Sequence, residues 1–101
     1  MSITKYQETP AVGTLYETTI NNSAAALQGA VNVFADAATT VYGSNSATQP
    51  TALSQMFADT DNAGFTGIMP FAVLPRWIAF TGTATELKML GVRLSNKGAI
   101  S

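Results

Sequence analysis

The stretch LPRWIAFTGTATELKMLGVRL, residues 74–94, constrains this chain more than any other, because large apolar side chains occupy both parities of a strand-favouring segment. Two such runs, 76–81 and 85–94, flank Gly82-Thr83-Ala84, so the segment predicts a β-hairpin. In that pairing Thr81 faces Thr85, Ala79 faces Leu87 and Trp77 faces Met89. The opposite face then carries Arg76, Ile78, Phe80, Glu86, Lys88, Leu90 and Val92, with charges set among large apolar groups. An antiparallel sheet with one wet face alternates cleanly between apolar and polar residues. This second face is too apolar for open water and too charged for a dry interior. It is expected to lie under another segment of the same chain or under another subunit, and the two can coexist.

The rest of the chain reads mostly as strands. TLYETTI, residues 14–20, alternates Tyr16, Thr18 and Ile20 against Leu15, Glu17 and Thr19. For residues 24–42 a helix has support from Leu27, Val31, Phe34, Ala38 and Val41 at spacings of four and three, with Ser23 as a cap. Gly29, the β-branched and Asx residues and the lack of Glu, Lys and Arg oppose it. The favoured reading is two strands, about 28–35 and 38–43, turning near Asp36-Ala37. Leu53, Met56 and Phe57 fit either a helical turn or a short strand, and Asp59 to Gly64 read as a turn. In FTGIMPFAV, Phe65, Gly67, Met69 and Phe71 share one parity, and Pro70 demotes the segment to an edge strand, a bulge or two short strands.

With 101 residues the chain is large enough for a single core. Expected organisation is a polar N-terminal arm over residues 1–12, a β-domain over 13–94 and a polar tail over 95–101. Only 11% of residues are charged and 47% are hydrophobic, against an average near 25% charged. A surface built mainly of Thr, Ser, Asn and Ala follows. The five cations Lys5, Arg76, Lys88, Arg93 and Lys97 never cluster and the net charge is −1, which argues against a nucleic-acid partner. No run approaches the ~18 apolar residues of a membrane span, and MSITKYQETP lacks the basic start and apolar stretch of an export signal. A soluble protein is expected.

The chemistry of most active sites is absent. There is no histidine and no cysteine, which removes the usual general base, the thiolate nucleophile and the commonest metal ligands. Asp59, Asp61 and Asn62 offer hard oxygen ligands to calcium, but no bidentate Glu follows before Glu86, and Asx turns explain DTDNAG more simply. Trp77 with Tyr42, Asn45 and Asp59 or Asp61 would serve a sugar-stacking site, although a Trp at a strand position facing Leu87 and Met89 is more often core. No cofactor is expected, and the chain reads as a non-enzyme.

TTVYGSNSATQP, AGFTGIMPF and LPRWIAFTGTATELKMLGVRL together resemble the second half of small jelly-roll or discoidin-like β-sandwiches, over roughly residues 39–94. The Ala- and Thr-rich, charge-poor composition is similar to that of small structural proteins of tailed bacteriophage particles, such as head decoration or cementing proteins. The resemblance implies an all-β fold, a small antiparallel β-sandwich with a flexible N-terminal arm and room for one short helical turn. It implies a multi-copy virion protein on the capsid surface, made in the host cytoplasm. Its partners would be capsid subunits and copies of itself, in a homo-oligomer within a larger assembly. The contacts expected on this reading are Arg76, Ile78, Phe80, Lys88, Leu90 and Val92 on the mixed hairpin face, with Ile3, Tyr6 and Val12 on the arm. The alternative is a carbohydrate-binding β-sandwich module or adhesin domain.

Overall fold

The computed structural model describes residues 7–18, 31–71 and 74–101. Among these, the strands are β1 (Gln7–Glu8), β2 (Thr14–Glu17), β3 (Val31–Ser44), β4 (Phe57–Ala58), β5 (Phe65–Phe71), β6 (Trp77–Gly82), β7 (Leu87–Leu90) and β8 (Ser95–Ala99), with one 3-10 turn at Leu53–Gln55. The all-β class is therefore the observed one. All eight strands belong to one antiparallel sheet that curls into a half-barrel, in the order β1-β7-β3-β6-β2-β8, with β4 and β5 on the remaining side of β3.

β3 organises the sheet. It is a single 14-residue strand where two strands with a turn at Asp36-Ala37 were expected. The segment is rich in Val, Thr, Phe and Tyr, which suits a pleated surface, and the expected turn is a local irregularity in pairing. Its first half pairs with β5 on one edge (Val33 with Met69, Phe34 with Ile68) and with β7 on the other (Val33 with Met89, Phe34 with Lys88). The second half pairs with β6, Ser44 opposite Trp77 and Thr39 opposite Gly82. The helix alternative for 24–42 therefore fails from Val31 onward, and residues 24–30 lie outside the described residues.

The hairpin predicted at Gly82-Thr83-Ala84 does not form. β6 and β7 run end to end along the same edge of β3, both antiparallel to it. Thr81, Ala79 and Trp77 pair with β3 and β2, not with Thr85, Leu87 and Met89. The register against β3 changes by one residue between Gly82 and Leu87, so this strand carries one residue more than its partner, as in a β-bulge. One extra residue exchanges the two faces of everything beyond it. Ile78 and Phe80 from β6 consequently share the concave side with Leu87 and Met89 from β7.

Asp36 holds this irregularity. Its carboxylate accepts hydrogen bonds from the Thr85 hydroxyl (2.7 Å), the Thr85 amide (3.0 Å) and the Glu86 amide (3.1 Å). The Thr85 hydroxyl, followed by the Glu86 amide, keeps the carboxyl below its usual pKa. A carboxylate depressed in the folded state contributes stability that is complete above its unfolded value, about 3.9, and is lost as pH falls through the lower folded value. Urea midpoints measured at pH 6 and pH 3 should therefore fall less for Asp36→Asn than for the parent chain. Equal losses in both would dissociate Asp36 from the acid sensitivity.

Concave side chains from both halves of the curl make the main core: Val31, Val33, Ala35, Met69, Leu87 and Met89 from one half, Tyr16, Val41, Ile78 and Phe80 from the other, with Val92. The convex face of the β2–β6 half is sealed as well. There Leu15, Trp77 and Ala79 pack with Met56 and Ile100, and Tyr42 and Leu53 close the rim. Leu53 and Met56 arrive because the chain turns at Leu53–Gln55 and re-enters as β4, so the helical-turn and strand readings of residues 53–58 are both realised. Pro70 lies on β5, which pairs only with β3 among the described residues, as an edge strand should. Residues 95–101 are not a loose tail. β8 pairs with β2, and the Ile100 amide donates to the Gly13 carbonyl at 2.9 Å.

Candidate interaction face

Among the described residues, the convex side of the half built from β5, the start of β3, β7 and β1 is left open. Odd residues of β3 point into the core there, so Asn32, Phe34 and Asp36 point out. Cross-strand pairing sets them in rows. Ile68, Phe34 and Lys88 form one row; Pro70, Asn32, Leu90 and Gln7 form the next. Ile68 is 73% exposed, Leu90 45% and Phe34 37%. With Gln7, Asn32 and Lys88 they border a shallow hollow of about 500 Å³. On the other side of Lys88 a polar row begins, where the Asp36 amide donates to the Glu86 carbonyl at 3.2 Å.

Of the six hairpin-face contacts expected from the sequence, the structure brings two to this face, Lys88 and Leu90. Ile78, Phe80 and Val92 are wholly buried in the core; the one-residue bulge moved the first two inward. Arg76 lies on the other half of the molecule. Its Nε is 3.1 Å from Glu17 Oε2, its guanidinium stacks 5.0 Å from the Trp77 ring centre, and its amide donates to Asn45. Lys97 reaches the second Glu17 oxygen at 3.5 Å. Thr18, buried beside them, donates its hydroxyl to the Pro75 and Arg76 carbonyls. Of the arm residues, Val12 packs against the chain's own core rather than reaching out, and Ile3 and Tyr6 lie outside the described residues. Phe34 and Ile68 were not singled out by sequence reasoning. Their shared parity opposite Val33 and Met69 was the available signal, hidden by the expectation that β3 turns at Asp36.

Of the residues considered for a sugar or calcium site, Asp61 is exposed, while Trp77, Asn45, Asp59, Asn62 and Tyr42 have internal partners. Trp77 is 4% exposed and its indole N–H donates to the Ser46 carbonyl at 2.9 Å. Asn45 accepts the Arg76 amide. Asp59 accepts from the Asn62 backbone and side-chain amides, the Asx turn expected of DTDNAG. Tyr42 is half-buried against the second core cluster. Among the described residues no three acidic, histidine or cysteine side chains are grouped to hold a metal ion, and no helix is long and apolar enough to cross a membrane.

No family model, no curated protein and no solved structure matches this chain.

Proposed function

We propose that this chain is a non-enzymatic structural subunit that works in many copies within a larger particle, with the head decoration proteins of a virion as the setting its sequence resembles. The observation that carries the reading is the exposed patch of Phe34, Ile68 and Leu90 on two adjacent rows of the sheet, uncovered among the described residues. Side chains of this size are left out of a monomer's interior at a cost in solubility, and a contiguous apolar patch rimmed by polar groups marks a contact surface. Support comes also from the acids. Glu17, Asp36 and Asp59 are each engaged in ion pairs or hydrogen bonds that hold the fold, and the chain has no imidazole or thiol.

Particles purified by density gradient from the source of this sequence should contain the chain in a fixed ratio to the main shell subunit. Particles stripped of it should take up added chain to saturation, and Leu90→Asp should abolish that uptake. Absence from such particles, or uptake that Leu90→Asp leaves unchanged, would overturn the reading.

A further inference from the structure

We draw no further inference here: the strongest candidate, the exposed patch of Phe34, Ile68 and Leu90 on the convex face of β3, β5 and β7, belongs to the contact surface already described, and nothing in the structure shows what covers it.

Discussion

Gly82→Ala should remove about 2–5 kcal/mol of folding stability, a large share of the 5–15 kcal/mol typical of a domain. Gly82 ends β6 with φ of +135°, a conformation that side chains rarely adopt. A Cβ there would stand 2.2 Å from the Ala38 carbonyl oxygen and 3.0 Å from the Thr39 Cα. Both neighbours are backbone of β3, tied to this strand by the Thr83 amide donating to the same Ala38 carbonyl at 3.0 Å. They cannot swing aside as a side chain would. Gly64 provides the comparison. Its φ is +70°, but nothing lies within 4 Å of an added Cβ, so Gly64→Ala should cost only about 1–2 kcal/mol of left-handed backbone penalty. Urea unfolding of the two variants measures the difference. Equal costs would mean that β3 does not press on β6 at Gly82.

Phe80→Ala and Leu90→Ala should differ by several kcal/mol although a hairpin would have placed both side chains on one face. Phe80 is fully buried among concave residues from both halves of the curl, and truncating a buried Phe costs about 3–5 kcal/mol. Leu90 is 45% exposed, and its truncation should cost less than about 1 kcal/mol. Similar losses at the two positions would restore the hairpin and remove the bulge. The contrast tests the register directly, because the exchange of faces between β6 and β7 depends on a single additional residue.

That residue also explains what the sequence could and could not disclose. The strand character of 14–17, 65–71 and 77–82 was legible from β-branched and aromatic content, that of 87–90 from the alternation of Leu87 and Met89 with Lys88, and Pro70 announced an edge. The apolar occupancy of both parities in 74–94 was a true signal as well. It meant that β6 is buried on both sides, Ile78 and Phe80 on the concave face and Trp77 and Ala79 under Met56 and Ile100. Which strand pairs with which was not legible. Gly82-Thr83-Ala84 has the residue types of a tight turn, and the contacts that carry the chain on as a bulge, from the Asp36 carboxylate and the Ala38 carbonyl, come from residues distant in sequence. Phe34 was read as one of several apolar positions in an ambiguous segment. Its exposure follows from β3 keeping one parity throughout, a fact fixed by partners far along the chain.

Because β6 and β7 each pair with β3 along one edge, the ladder joins residues as distant as Asn32 and Leu90, and even Ser44 must find Trp77. Among the described residues no tight turn joins β6 or β7 to β3. Loops of roughly 30 to 60 residues have to close before β6 and β7 gain any ladder bond on β3, which places the folding time in the millisecond-to-second range of non-local β topologies. During synthesis the central strand emerges well before the segment that completes it: one edge can pair once β4 and β5 have emerged, but the other stays unsatisfied until residues 77–90 arrive. Misassembly between neighbouring nascent chains is the hazard inherent in that delay.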